Sequence, residues 1–214
     1  MRLLLVLLLF GCADPDRKTV GPIDREQLPP RMLLQPLGEV DPANIDSAAA
    51  AVARAYRTTV QVAQRRELPA SAYTTIRSPR YRADSLIAWL RAIKPEGVDH
   101  IIGLTSQDIS ITKYDSTGAT KDPAWKYRDF GIFGLGFIDG PSCVVSTFRL
   151  GDEKSPRFFA RLKKITVHEV GHNRGLPHCA DPTCVMRDAV ERMGSIDAVS
   201  GAFCAACKKR LRAL

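Results

Sequence analysis

Residues 165–186 read ITVHEVGHNRGLPHCADPTCVM, and the rest of the chain is read outward from them. His168 and His172 stand four apart, so on a helix both imidazoles project from one face and reach a common ion. Glu169 adjoins the first of them. Gly175 accepts the left-handed conformation that ends a helix, which lets the chain reverse and bring His178 back to the same point. Three neutral imidazoles and an open fourth position are the donor set of a catalytic Zn2+. Glu169 is then placed to take a proton from metal-activated water and pass it to a leaving amine.

From composition alone, a bare H-E-x-x-H arises in roughly one such chain in a few hundred. Requiring Gly175 and His178 at fixed offsets lowers this to the order of one in a hundred thousand. The chain has four histidines, and three of them are in this stretch. An ordinary amphipathic helix with surface or satisfied histidines is therefore the weaker reading.

H-E-x-x-H-x-x-G-x-x-H resembles the motif of the metzincin metalloproteases. Cys179 follows the third histidine directly, then come Cys184, Met186, Cys204 and Cys207. The full string, H-E-x-x-H-x-x-G-x-x-H-C-x4-C-x-M-x17-C-x2-C, is similar to that of the archaemetzincin family. A softer similarity extends upstream through Arg80-Tyr81, Thr105 to Asp108 and Ser146 to Leu150. The resemblance implies a zinc-dependent peptidase with a catalytic zinc on His168, His172 and His178 and a second, structural zinc on Cys179, Cys184, Cys204 and Cys207. It implies an α+β fold of metzincin type. The upper lobe has a mixed twisted sheet with backing and active-site helices; the small lower lobe holds a methionine turn at Met186 and a C-terminal helix. It also implies that Gly134 to Phe137 form an edge strand above the zinc that binds extended substrate by strand addition.

Read as chemistry, the cysteines leave two arrangements open. Cys179 and Cys184, with Cys204 and Cys207 about twenty residues on, have zinc-site spacing, and this is the favoured arrangement. In an exported protein the same four form disulfides, Cys179 with Cys184 and Cys204 with Cys207. Cys143, in an apolar run, reads as a small buried residue.

The chain opens MRLLLVLLLFGC, one positive charge followed by eight apolar residues, too few to span a bilayer. Residues 1–11 are expected to be a signal peptide. L-F-G-C resembles the lipobox of bacterial lipoproteins, with Cys12 as the lipid-bearing residue. Ala13 after it favours the outer membrane of a bacterial envelope. Residues 12–40, rich in proline and charge, are expected to be a tether, leaving residues 41–214 as the peptidase domain.

The 214 residues, 45% hydrophobic and 25% charged, are ordinary globular material for one domain. The net charge of +8 is spread over scattered pairs with no nucleic-acid motif, so no nucleic-acid partner is expected. A monomer acting on a peptide or protein is expected. Two other functions stay open: a zinc-stabilised lipoprotein that binds peptides or envelope components without cutting them, and a zinc amidase acting on a non-peptide substrate.

Helical spacing is predicted from Asp41 through Tyr56, from Arg82 to Ile93, from Pro156 to about Arg174, and over residues 203–214. Strands are predicted around Val60 to Val62, Asp99 to Thr105 and Cys143 to Leu150. His100 reads as a surface or capping residue rather than a ligand.

Overall fold

The computed structural model describes residues 30–188 and 193–212. The signal-peptide reading of residues 1–11 and the lipid-attachment reading of Cys12 lie outside the described residues. No helix among the described residues is long and apolar enough to cross a membrane.

A five-stranded sheet forms the centre, in the order β2 (Val60–Val62), β1 (Met32–Leu37), β5 (His100–Thr105), β9 (Ser142–Ser146), β8 (Gly134–Gly136). All neighbours are parallel except the β8 edge, which runs antiparallel to β9. The alternation of side chains across the pleat explains how both faces are covered. Leu33 and Leu37 of β1, Ile101 of β5 and Val144 of β9 pack with Leu86, Ile87 and Leu90 of α2 (Ala83–Ile93). Their neighbours Leu34, Leu104 and Val145 face the other way, toward α4 (Pro156–Asn173), where Phe158, Leu162 and Ile165 meet them. α1 (Pro42–Tyr56) lies beside α4 on that face, contributing Ala48 and Val52. A Cβ on Gly103 would come within 2.7 Å of Leu90 Cδ1, so a glycine there lets α2 lie close on the sheet.

The tether reading for residues 12–40 is corrected at its C-terminal end. All six residues of β1 are buried and pair with β5, and Met32, Leu33 and Leu34 pair with β2 on the other side as well, so the domain already includes Met32. Pro36, which argues against a central strand, lies past the last β2 pair at Leu34; its carbonyl still accepts from the Arg66 amide at 3.0 Å. His100 is likewise corrected from surface to buried, and burial pushes its pKa down.

A second, smaller sheet has the order β3 (Tyr73–Thr74), β4 (Arg80–Arg82), β6 (Ile109–Ile111), β7 (Phe130–Ile132), with α3 (Ala124–Tyr127) in the connection before β7. Buried charges tie it to the first. Asp108 accepts two hydrogen bonds from Arg149, at 2.6 and 2.7 Å, and lies 3.3 Å from the Arg80 guanidinium. Arg80 also lies 3.6 Å from the fully buried carboxylate of Asp129. Removing one partner of such a group strands the other in low dielectric, which costs about 3–5 kcal/mol. After α4 come α5 (Met193–Ala198) and α6 (Ala205–Arg212).

Candidate metal centres and active site

α4 carries the first half of the site. Its start is fixed by Ser155, whose hydroxyl accepts from the Arg157 amide, and by Pro156 in the first turn. Its end is a Schellman turn: the Gly175 amide bonds the His172 carbonyl and the Leu176 amide bonds the Gly171 carbonyl, each at 2.9 Å, with Gly175 at φ +74°. That reversal carries the chain to His178.

The imidazoles of His168, His172 and His178 each offer a nitrogen, and the three atoms lie within 4.8 Å of one another. His168 Nδ1 donates to the Val185 carbonyl and His172 Nδ1 to the Leu176 carbonyl, both at 2.8 Å. A carbonyl can only accept, so in each neutral ring the proton sits on Nδ1 and the lone pair on Nε2. Those two Nε2 atoms face each other at 3.0 Å. Two lone pairs this close repel unless a cation stands between them, and tetrahedral zinc would separate such nitrogens by about 3.3 Å. Burial pushes His168 down to about 4 and His172 down as well, which keeps both rings in the neutral, ligating form. His178 is more open, and its Nδ1 lies 3.7 Å from Asp188 Oδ2.

Glu169 is buried beside these rings. Burial raises its carboxyl to about 8, against a hydrogen bond from the Gly136 backbone that lowers it. β8 presses on it: a Cβ on Gly134 would lie 2.7 Å from Glu169 Cγ, and one on Gly136 2.5 Å from the Glu169 carbonyl oxygen. Beneath the rings, a Cβ on Gly171 would lie 2.4 Å from Met186 Sδ, so the glycine between the two helical histidines admits the sulfur. An apolar pocket adjoins His168 and Glu169, walled by Phe133, Ile165, Val185, Ile196 and Val199.

The four cysteines Cys179, Cys184, Cys204 and Cys207 also converge within 4.8 Å. Cys179 and Cys204 sulfurs are 3.7 Å apart, as are those of Cys184 and Cys207. A disulfide needs about 2.05 Å. Four thiolates on tetrahedral zinc stand about 3.8 Å apart, and all four cysteines are free, so the cluster fits an ion rather than the Cys179–Cys184 and Cys204–Cys207 bridges. The amides of Met186 and Cys204 both donate to Cys184 Sγ at 3.4 Å, and the Cys207 amide helps bring the Cys204 thiol down to about 7. Cys143 is buried and free under β8 and α4, away from this cluster.

The two clusters are joined through the backbone. Cys184 belongs to the sulfur cluster, the next carbonyl, Val185, orients His168, and Met186 floors the site. The Val185 amide is itself held by Ala202, just ahead of Cys204, at 2.9 Å.

Comparison with known proteins agrees with this arrangement. The description of Peptidase family M54 matches residues 45–213. An archaemetzincin of Halobacterium salinarum is 31% identical over 191 residues, spanning 84% of this chain and 98% of that protein. One from Methanopyrus kandleri is 33% identical over 149 residues, 70% of this chain and 75% of that protein. The crystal structure of the Methanopyrus kandleri archaemetzincin superposes with a TM-score of 0.69 at 28% identity, covering 90% of this chain and 98% of that one. That of the Archaeoglobus fulgidus archaemetzincin, complexed with malonate, gives 0.66 at 25%, covering 84% and 99%. The organisms of these relatives are archaea, whose cells have no outer membrane, so the expected placement as a lipid-anchored protein of the bacterial envelope is corrected: the relatives do not support it. With motif, fold and relatives in agreement, the chain belongs to Peptidase family M54 and is a zinc metallopeptidase.

Proposed function

We propose that the protein hydrolyses peptide bonds at the histidine centre, with Glu169 as general base and then general acid, and that the four cysteines hold a second, purely structural zinc. The observation that carries the catalytic half is the pair of backbone-fixed imidazoles whose free Nε2 atoms meet at 3.0 Å beside a buried carboxyl. His168, His172 and His178 are the residues that would hold the catalytic ion. Zinc bound there supplies a Lewis acid that polarises the scissile carbonyl and acidifies water.

The chain's own groups do the rest. Glu169, held near 8 by burial, gains its charged form from positive charge in the adjoining site and then accepts a proton at its carboxylate. It returns that proton to the leaving amine. Both acts require that bulk water stay out, and the apolar walls at Phe133, Ile165 and Val199 serve this. Among the described residues β8 ends the main sheet with one edge unpaired, and substrate is proposed to lie along it in extended form, adding a strand. The reacting carbonyl then comes to rest over Glu169.

Peptide turnover and metal content measured together on Glu169→Gln test this. The expected result is full zinc retention with turnover lowered by about 10²–10⁴-fold, the usual worth of a positioned acid–base group. Turnover within a few-fold of the parent, at equal metal, rules the role out.

A further inference from the structure

A second concavity, of about 1090 Å³, lies between α1, α4 and the segment leading into α6. That is at the upper end of the roughly 300–1,000 Å³ usual for small-molecule sites and leaves room for a short length of polymer. Its lining is of one sign. Arg54, Arg57, Lys163, Lys164, Arg174 and Lys208 contribute to it, against a single carboxylate, Asp46.

Several basic groups elsewhere are paired: Arg149 with Asp108, Arg161 with Asp197, Arg82 with Asp84. In the groove, Arg54, Arg57, Lys163 and Lys208 are exposed and have no carboxylate partner among the described residues. Like charges gathered around a low-dielectric concavity repel one another and focus a positive potential into it, a cost that an anionic occupant relieves.

The floor indicates which polyanion. It is made of small apolar surfaces such as Ala51, Ala55 and Val167. The aromatic rings present are already engaged: Tyr56 and Phe203 stack edge to face at 5.5 Å, and the Tyr56 hydroxyl donates to the Val167 carbonyl at 2.6 Å. No ring in the groove is left as a platform for bases, which single-stranded nucleic acid uses for much of its affinity. Apolar side chains interleaved with carboxylates meet both the floor and the rim.

Lys164 connects this groove to the cleft. It lines both the groove and the pocket at His168 and Glu169, with its ammonium donating to the Ile196 and Asp197 carbonyls at 3.1 and 3.2 Å. On these grounds, and resting on the peptidase reading above, we propose that the groove is an exosite that captures an acidic segment of the protein substrate, outside the stretch that is cut.

The test separates binding from hydrolysis. Fluorescence anisotropy of the full-length protein is read with a labelled decapeptide of Glu, Ala and Leu, and with the same peptide carrying Gln for Glu. Saturable binding of the acidic peptide is expected, at least tenfold weaker for the Gln version and at least tenfold weaker for the Arg54→Glu/Lys163→Glu/Lys208→Glu protein. The same triple variant should cut a short neutral peptide at the parent rate, while KM for a protein bearing an acidic stretch rises about tenfold and kcat holds. Absent saturable binding, or binding that the reversals leave within twofold, overturns the exosite. So does tighter binding, through the same three residues, of a single-stranded oligonucleotide of matched charge or of phosphatidylserine vesicles. Because the anisotropy needs no turnover, failure of the exosite is distinguishable from failure of the catalytic reading.

Discussion

Asp188 is the only carboxylate within ion-pair distance of His178 among the described residues, its Oδ2 lying 3.7 Å from the ring's Nδ1. The other two imidazoles are anchored by main-chain carbonyls at 2.8 Å, contacts that no side-chain substitution removes. Asp188 is thus the candidate orienting partner of His178, at a distance longer than a direct hydrogen bond. Outer-shell partners of this kind are worth about 10–100-fold in metal affinity. Asp188→Ala should weaken zinc at the histidine centre by that factor in a chelator-competition titration, leaving the sulfur centre unchanged. Equal affinity in variant and parent would show that the third ligand orients itself.

Gly134 tests the placement of the carboxyl separately from its chemistry. A Cβ there would come 2.7 Å from Glu169 Cγ and 2.9 Å from Oε1, so in Gly134→Ala the carboxyl must move. Displacing a catalytic group by about 1 Å costs on the order of 10²-fold in rate. The variant should therefore bind zinc normally and turn over about a hundredfold more slowly. Parental kcat in a folded Gly134→Ala protein would mean that the carboxyl has room the structure does not give it.

Much of this centre is legible in the sequence because it is local. Two histidines one helical turn apart, a glycine where the helix must end and a third histidine just beyond need only helix geometry to converge. Asp41 as a cap and the Leu86, Ile87, Leu90 stripe are legible for the same reason. β1 was hidden because MLLQPL contains a proline and follows a proline-rich stretch, and nothing local reveals that strands on both sides cover it. The second sheet is built from strands of two or three residues, whose register comes from partners far along the chain rather than from periodicity. Asp129 was missed for a related reason: a lone aspartate before an apolar run looks solvated until the fold brings Arg80 and Arg82 to it. The signal that could have found the β8 contact was the pair Gly134 and Gly136, two residues apart on one face of the strand.

The backbone link between the clusters predicts that they act together. Cys184 belongs to the sulfur cluster, and the following carbonyl fixes His168. Cys184→Ser should lower zinc affinity at the histidine centre as well, by the same order of 10–100-fold expected for loss of an orienting partner. Substituting cobalt and following its visible bands gives the two centres separate signatures. An unperturbed histidine-site spectrum in Cys184→Ser would show that the centres are independent.

Burial of Glu169 has a cost visible in metal-free protein. Its folded pKa of about 8 lies above the ordinary 4.5, so between these values the folded chain keeps a proton that the unfolded chain releases. Stability from this group is present below about pH 4.5 and is lost as pH rises through 8. His168 acts oppositely: its folded value of about 4 lies below 6.5, so stability grows as pH rises across that window. Glu169→Gln should remove the alkaline loss, raising the metal-free protein's stability at pH 8 by a few kcal/mol, about 1.4 per pKa unit, while leaving the acid limb. Urea titrations from pH 4 to 9 read both limbs. A parent and variant with parallel profiles would contradict the buried placement.

The central claim is that three imidazoles hold one zinc and four thiolates another. Zinc per chain, measured by atomic absorption on the purified protein and on a His168→Ala/His172→Ala variant, tests it most directly. Two ions in the parent and one in the variant are predicted. One ion or none in the parent, or two retained after both helical histidines are gone, would contradict it.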